Sequence, residues 1–359
     1  MTARSIQHDA DPFVRPFLSY RREEEIETGR IHKITCAVKR RSGRVEHMIL
    51  QYAQLTRVPG VFRAMTGLTV PQFDALYRDL LPHYIAAERQ RLGRPDRQRA
   101  IGGGKQFTLS ARDQILLAIV WLRRYPTDEV LGYLFGVSET ITLRTRHRLV
   151  PLLEAAGLDT MRLPDPGRKH RVHLDDLLRE TPELVVLVDT YEQRVQRHKD
   201  RDEADRWYSG KKEAHTVKTH TAQRAPGIDE RDGRIVDLPP SVRGPTADIA
   251  VLKGSGLLPR LPPGVGVCGD LASVGMDDLH PGVRGATPRR KPRGQPRPAE
   301  DVAYNTAFAR RRVGVEHVIG RLRRYECLTQ RDRHHRREIT SRNRAVAGLV
   351  NRMNWRLRD

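Results

Sequence analysis

The stretch LVVLVD, residues 184–189, decides the fold of this 359-residue chain. Its five consecutive apolar residues predict a strand buried on both faces, which is typical of the centre of a sheet covered by helices. Asp189 then lies at or just past the end of that strand. Because burying a lone carboxylate is costly, Asp189 needs a metal, a cation or hydrogen-bond donors, and it becomes a candidate site residue.

A second stretch repeats this arrangement, since VGVC at residues 265–268 is followed by Gly269 and Asp270. Residues 216–219 and 234–238 predict further strands, and residues 246–257 and 303–322 predict helices. Strands mixed with helices predict an α/β domain with a mixed sheet, which we place at residues 181–330.

Glu316 lies on the helix predicted at residues 303–322, among several arginines. Acids at the ends of neighbouring strands can converge, and a helix packed on the sheet can add a third. Three carboxylates supply the oxygen ligands that hard divalent cations prefer. The alternative is structural for each acid, because an Asp that ends a strand is often a cap and a helical Glu among arginines is usually a surface ion pair.

Residues 105–160 have the pattern of a helix-turn-helix module. Two amphipathic segments are separated from a third, basic one by the break Gly136-Val137-Ser138. The same pattern occurs in helical hairpins that bind nothing. If the module binds DNA, the side chains expected to face it are Thr140, Thr142, Arg144 and Arg146.

The remaining segments complete the predicted organisation. Residues 1–47 are polar and weakly periodic, so we expect a disordered extension or a mis-assigned start, with Met48 as the true one. Residues 48–104 are expected to form a small helical region that ends in a glycine linker. Residues 331–359 are expected to be a basic C-terminal tail.

The charge of the chain points to a polyanionic partner. The formal net charge is +21, and residues 281–359 hold 21 Arg and Lys against 7 acids, a net charge of +14. Nucleic acid fits this excess best; a soluble enzyme with a merely basic surface is the alternative. The longest apolar stretch, residues 115–122, is too short to span a membrane. Three cysteines without a CxxC spacing suggest neither a zinc finger nor a disulfide framework, and they fit a reducing cytoplasm.

Several blocks around the acids resemble bacterial insertion-sequence transposases of the DDE type, which have an RNase H-like catalytic fold. The resemblance runs from about Arg57 to Met353. Its most specific block is WYSGKK at residues 207–212, followed by HTVK at residues 215–218. Further matching blocks surround Asp189, Asp270 and Glu316, and residues 109–152 resemble the family's helix-turn-helix region. The implied architecture is an all-α helix-turn-helix module followed by the RNase H-like, mixed-sheet domain.

This resemblance implies DNA cleavage and strand transfer on Mg²⁺ or Mn²⁺, with two ions expected. Under it Asp189, Asp270 and Glu316 are catalytic metal ligands, and Asp248 matches an additional acid. Contacts to DNA are then expected from Lys211, Lys212, His215 and Arg312 as well as from Arg144 and Arg146. The implied partners are the terminal inverted repeats and target DNA, bound by a homo-oligomer in the cytoplasm at the nucleoid.

The family's pattern is not matched everywhere. Thr190-Tyr191, Ala247 and Ser273 replace residues that are usual beside the acids, and neighbours of this kind orient ligands. Two other functions therefore remain open. One is a DNA-binding regulator that keeps the fold without catalysis, and the other is a nuclease without strand transfer.

Overall fold

The computed structural model describes residues 48–93, 108–165, 178, 185–224 and 233–353. The expectations for residues 1–47 lie outside these residues. The chain forms two compact units. One comprises residues 1–47 and 88–108, of which only 88–93 and 108 are described. The other comprises residues 48–87 and 109–359, and it contains every site discussed below.

Three helices open the described chain: α1 (Tyr52–Leu55), α2 (Pro59–Thr66) and α3 (Val70–Leu92). Pro59 begins α2, where a missing N–H costs nothing, and Gly67 ends it with a φ of 80°. The rings of Phe62 and Phe73 meet edge to face with centroids 5.5 Å apart. The apolar spacing that predicted helices here therefore corresponds to a packed aromatic core.

The helix-turn-helix module consists of α4 (Ala111–Arg124), α5 (Asp128–Phe135) and α6 (Glu139–Leu158). The Ser110 and Thr127 side chains cap α4 and α5. Gly136 makes the turn possible with a φ of 62°, a conformation that other residues adopt at a cost. A Cβ at Gly132 would lie 2.6 Å from the carbonyl oxygen of Val137, so the tight approach of α5 to the turn requires glycine.

The rest of the unit is built on a mixed sheet. Its strands are β1 (Val185–Arg194), β2 (Tyr208–Ser209), β3 (Ala214–Arg224), β4 (Ile235–Asp237), β5 (Val242–Arg243), β6 (Gly266–Cys268) and β7 (Gly285–Ala286). The order is β2-β3-β1-β6-β7, with β4 and β5 also paired to β3. Strand β1 is antiparallel to β3 and parallel to β6. The helices of this part are α7 (Arg201–Asp205), α8 (Asp248–Gly254), α9 (Ala299–Leu322) and α10 (Ile339–Met353).

Strand β1 is buried on both faces, as its apolar run predicts. Leu187 and Tyr191 join the core that includes residues of α9, α10 and the helix-turn-helix module, whereas Val186 and Val188 join a separate cluster with α8. A helical module followed by a mixed sheet covered on both faces confirms the predicted fold class. Within the described residues, none of the helices combines the length and apolarity needed to cross a membrane.

Residues 339–353 differ from the expected basic tail, because they form the packed helix α10. A Cβ on Gly348 would lie 2.2 Å from the Cα of Gly157, so α10 and α6 cross with their backbones in contact. Arg342 is buried in an ion pair with Asp332 at 2.7 Å. The helix-turn-helix module and the sheet therefore share one core, whereas the sequence suggested separate domains.

Candidate active site

Asp189 and Asp270 lie at the same level of the sheet. Asp270 follows β6 as predicted, whereas Asp189 lies inside β1 and not at its end, because β1 continues to Arg194 in its pairing with β3. Leu187 pairs with Cys268 across the parallel strands β1 and β6, and each aspartate follows its strand residue by two positions. Gly269 permits this, since a Cβ there would lie 2.5 Å from the Cβ of Ser273. Backbone pairing thus brings Asp189 and Asp270 to neighbouring positions at the carboxyl end of β6.

A small cleft at the carboxyl end of β6 is lined by both residues. It has about 210 Å³ of unfilled space, including solvent at its mouth, and its lining residues are Val188, Asp189, Thr190, His220, Asp248, Leu252, Asp270 and Ser273. The apolar side chains form its floor with β1 and α8. Directly opposed residues of paired strands share a face, so Thr190 and His220 point to one face of the sheet, whereas Asp189, which pairs with Thr221, points to the other.

The carboxylate of Asp189 is partly desolvated. Burial raises its pKa, and the nearby charges of Asp270 and Asp248 raise it further. The backbone N–H of Thr190, 2.7 Å from Oδ1, and the guanidinium of Arg312 act in the opposite direction. Such a carboxylate gains from any cation that enters the cleft.

Asp270 is ordered by its own turn. Its Oδ1 accepts hydrogen bonds from the backbone N–H of Ala272 at 3.0 Å and from the hydroxyl of Ser273 at 3.1 Å. Asp270 therefore does cap the turn that follows it, as the structural alternative predicted, but only its Oδ1 takes part. Its Oδ2 has no hydrogen-bond partner among the described residues.

Asp248 is the third acid of the cleft. Its Oδ1 accepts from the Nζ of Lys218 at 2.8 Å and from the hydroxyl of Thr190 at 2.9 Å. Lys218 is buried and also donates to the carbonyl oxygen of Thr246. Sequence reasoning assigned Lys218 no role of its own, because a lysine within a strand usually reaches solvent.

His220 is the cleft residue that sequence reasoning missed. It lies opposite Thr190 in the β1–β3 ladder and is 2% exposed. Burial lowers its pKa to about 4, against the opposing charge of Asp248, so the ring is neutral at physiological pH. Neither ring nitrogen has a hydrogen-bond partner among the described residues. A usable signal was the alternation of β3, which puts Lys218 and His220 on the same face.

Glu316 is placed differently from the two aspartates. It lies exposed on α9 and does not line the cleft. The residue of α9 that reaches Asp189 is Arg312, whose Nη2 lies 3.8 Å from Oδ2. Arg312 precedes Glu316 by four residues, about 6 Å along the helix axis. The structure therefore places Asp189 and Asp270 at neighbouring positions, with Arg312 beside Asp189, and Asp248 lines the same cleft.

The residues that line the cleft are of a type that binds divalent cations, because most of their polar atoms are carboxylate oxygens. Their present spacing does not enclose one. Among the described residues, no group of three or more His, Cys, Asp or Glu side chains is arranged to hold a metal ion. A bound ion would have to draw these ligands closer together.

The basic residues expected near the site lie at the other end of β3. Lys211 and Lys212 are exposed in the turn before this strand, and His215 packs against the ring of Tyr208. Thr221, which pairs with Asp189, is six residues further along β3, roughly 20 Å from His215. Any DNA that touches both regions has to extend along the strand.

The four residues of helix α6 that were expected to contact DNA lie on two different faces, one exposed and one buried. Thr140 and Arg144 are exposed, whereas Thr142 and Arg146 are buried. Arg146 donates through Nε and Nη2 to Asp128, both at 2.6 Å, and its guanidinium lies 4.1 Å from the ring centroid of Trp121. Arg146 differs from the expectation because its partners are internal. His147 is exposed on the same face as Arg144.

Two family models match the chain. Residues 188–351 match the DDE superfamily endonuclease family, and residues 107–158 match the helix-turn-helix of DDE superfamily endonuclease. The first match spans Asp189, Asp270 and Glu316.

A curated relative matches most of the chain. It is a probable transposase for insertion sequence element IS702 from Microchaete diplosiphon. It is 26% identical over 290 residues, which make up 81% of this chain and 93% of the relative. No solved structure matches the chain significantly.

Proposed function

We propose that this chain, which belongs to the DDE-type insertion-sequence transposases, binds the terminal inverted repeats of its element and catalyses metal-dependent DNA cleavage and strand transfer. The relative is a probable transposase of an insertion sequence, which supports the ends of such an element as the DNA substrate. The observation that carries the chemistry is the pairing of Leu187 with Cys268, which sets Asp189 and Asp270 at neighbouring positions at the carboxyl end of β6.

End recognition is assigned to the helix-turn-helix module. The exposed face of α6 carries Thr140, Arg144 and His147, and side chains of this kind can reach base edges in the major groove. The shared core of α6 and α10 supports a fixed geometry between this reader and the sheet. A rigid link of this kind would set the distance from the bound repeat to the cleavage point.

Asp189 and Asp270 are assigned as the catalytic metal ligands, with Asp248 as a further candidate. A divalent cation, Mg²⁺ or Mn²⁺ and in the full site two of them, would polarise the scissile phosphate and help to deprotonate the attacking water or 3′-hydroxyl. Arg312 is placed to meet phosphate oxygens once Asp189 has another cation. Ser273 and the backbone N–H of Thr190 hold the two carboxylates in orientation.

Glu316 remains a proposed ligand. It would have to reach the cleft by a movement of α9 of about one helical turn, or by a local rotation. Its exposed position favours a second candidate function, a regulator that binds the repeats without cutting them. In that case the pairing of Arg312 with Asp189 would be the permanent state of the site.

Incubation of the purified protein with labelled terminal-repeat DNA and Mg²⁺ or Mn²⁺ tests these functions. Cut and joined products support the transposase. Cut products alone indicate a nuclease without strand transfer. Binding without cutting in the presence of either metal supports the regulator. If repeat DNA is not bound in preference to other DNA, both the transposase and the regulator are contradicted.

A further inference from the structure

Leu143 is an apolar side chain that lies exposed in the first half of helix α6. It is 39% exposed, and it does not belong to any of the apolar clusters that the described residues form. Val150 lies on the same flank of the helix, because it follows Leu143 by seven residues, about two helical turns, and Val150 is buried. The protein therefore covers this flank of α6 only beyond Leu143.

Helix formation does not require an apolar side chain at position 143. Leucine is a good helix former, but lysine, glutamate and glutamine are about as good, and their polar ends would be solvated. Single exposed apolar residues are common on protein surfaces. The significance of Leu143 therefore depends on the side chains around it.

The neighbours of Leu143 are the residues assigned to end recognition. Thr140, Leu143, Arg144 and His147 occupy positions i, i+3, i+4 and i+7 of α6, which place them on one side of the helix, and all four are exposed. We call these four residues the reading face. The exposed residues further along α6 have side chains that offer no hydrogen bond: Pro151, Ala155 and Leu158. Base contacts are thus expected from the first turns of the second helix of the module, as in other helix-turn-helix proteins.

The chemistry of the reading face indicates what Leu143 can recognise. Its hydrocarbon side chain can bind neither a phosphate nor the hydrogen-bonding edge of a base. The apolar group that DNA displays in the major groove is the 5-methyl group of thymine. Arg144 supplies positive charge on the same face, and Glu139, one turn before Leu143, can accept a hydrogen bond from the amino group of cytosine. The surroundings of Leu143 therefore suit a major groove better than an apolar protein surface.

We propose that Leu143 is a specificity-determining residue, which packs against the 5-methyl group of a thymine in the terminal repeat, close to the base pair that Arg144 contacts. The inference rests on the recognition of the repeats in the proposed function. It adds an apolar contact to a reading face that otherwise consists of polar side chains, and it names the base that this contact selects.

The test uses the full-length protein and duplexes of the terminal repeat in which single thymines are replaced by deoxyuridine, which lacks only the 5-methyl group. The wild type should bind one of these duplexes about threefold to fivefold more weakly than the unmodified repeat, the effect of about one buried methyl group. Leu143→Ala should bind that duplex and the unmodified repeat equally. Loss of the difference in the variant would show that the side chain and the methyl group are coupled.

Leu158→Ala is the matched control, because Leu158 is a leucine of the same helix with nearly the same exposure, 41%. It should discriminate between the two duplexes as the wild type does. Leu143→Met keeps an apolar side chain of similar volume and should retain most of the discrimination. Thermal unfolding of each variant should occur close to the wild-type temperature, because both leucines are exposed.

The proposed function and this inference can fail separately. If the wild type prefers repeat DNA but binds every deoxyuridine duplex as tightly as the unmodified repeat, the inference is overturned and the repeat remains the substrate. Discrimination that persists in Leu143→Ala also overturns it. Discrimination that depends on Leu143, in a protein that binds the repeat without cutting it, supports the inference and removes the transposase activity. A wild type without preference for repeat DNA overturns both.

Discussion

The guanidinium of Arg312 lies 3.8 Å from the carboxylate of Asp189, on the helix that also carries Glu316 one turn later. The pair is mostly shielded, with side chains 19% and 23% exposed. A cation that binds Asp189 must compete with this arginine. If a metal binds Asp189 as proposed, its binding is therefore coupled to the position of α9.

Arg312→Gln should raise the affinity of the DNA-free protein for Mn²⁺, because the competing charge is removed. A partly shielded pair contributes about 1 kcal/mol, which corresponds to roughly a fivefold change in affinity. Isothermal titration with Mn²⁺ measures it. Arg310→Gln, an exposed arginine of the same helix, is the control and should change the affinity little. Equal affinities for the wild type and Arg312→Gln would show that the pair does not compete with metal.

Asp189→Asn should abolish cleavage of repeat DNA, by at least about 100-fold, because the amide keeps the size of the side chain but loses its charge as a ligand. The fold should survive, since the backbone pairing of β1 does not depend on this charge. Cleavage assays together with the unfolding temperature measure both effects. Asp205→Asn changes an exposed acid on α7 and should leave cleavage at the wild-type rate. Wild-type cleavage by Asp189→Asn would remove this residue from the site.

The fold class could be predicted because its signals are local. The apolar run before Asp189 and the glycine break before α6 each specify an element within a few residues. Helix α10 was missed although Ile339, Val346 and Leu349 have helical spacing. Its arginines dominate the composition, and the pairing that buries Arg342 with Asp332 is not visible in the sequence.

The candidate site was predicted only in part, because only some of its signals are local in the sequence. Two aspartates that follow apolar runs indicate neighbouring positions in the sheet, and the register of β1 and β6 confirms this. The continuation of β1 past Asp189 was missed, because residues 190–194 are mostly polar. His220 and Lys218 acquire their roles from the antiparallel pairing of β3 with β1, which depends on contacts between distant residues. Arg144 and Arg146 look alike in the sequence. Arg146 is buried because it pairs with Asp128, eighteen residues earlier, whereas Arg144 is exposed.

Binding to duplex DNA should weaken steeply with salt, with a log–log slope of about −0.9 per phosphate neutralised. The exposed loop at residues 289–297 is a principal candidate, since it carries five basic residues and no acid. Arg290 of this loop donates to the carbonyl oxygen of Leu271, next to Asp270. Replacing Arg293 and Arg297 with Gln should reduce the slope by about 2. A flat titration of the wild type would contradict the electrostatic account.

Gly348→Ala should destabilise the protein by about 1–3 kcal/mol, the usual cost of overpacking, because its Cβ would lie 2.2 Å from the Cα of Gly157. Denaturant unfolding measures the change. Gly320→Ala is the matched control on α9, where nothing lies within 4 Å of the new methyl group, and alanine there should be neutral or stabilising. Equal stability of the two variants would mean that α6 and α10 can separate. For the same reason, removal of residues 1–160 would expose the shared core and could not isolate a folded catalytic part.

Arg144 and Arg146 should give opposite results when each is changed to alanine. Arg144 is exposed on α6, so Arg144→Ala should keep the unfolding temperature and reduce the preference for repeat DNA by about 1–3 kcal/mol, the value of a bidentate base contact. Arg146 is 1% exposed and is held by Asp128. Arg146→Ala should therefore destabilise the fold by about 3–5 kcal/mol, because it leaves a partly buried carboxylate unpaired.

Two measurements separate these effects: competition binding between repeat and scrambled DNA, and thermal unfolding of each variant. Arg146→Met with Asp128→Leu removes both charges and should recover much of the stability lost in Arg146→Ala. This double variant should bind repeat DNA with nearly wild-type preference, since neither of the removed charges faces the groove. If the stable double variant loses that preference while Arg144→Ala retains it, Arg146 contacts DNA after a rearrangement of α6, and the exposed face is not the reader.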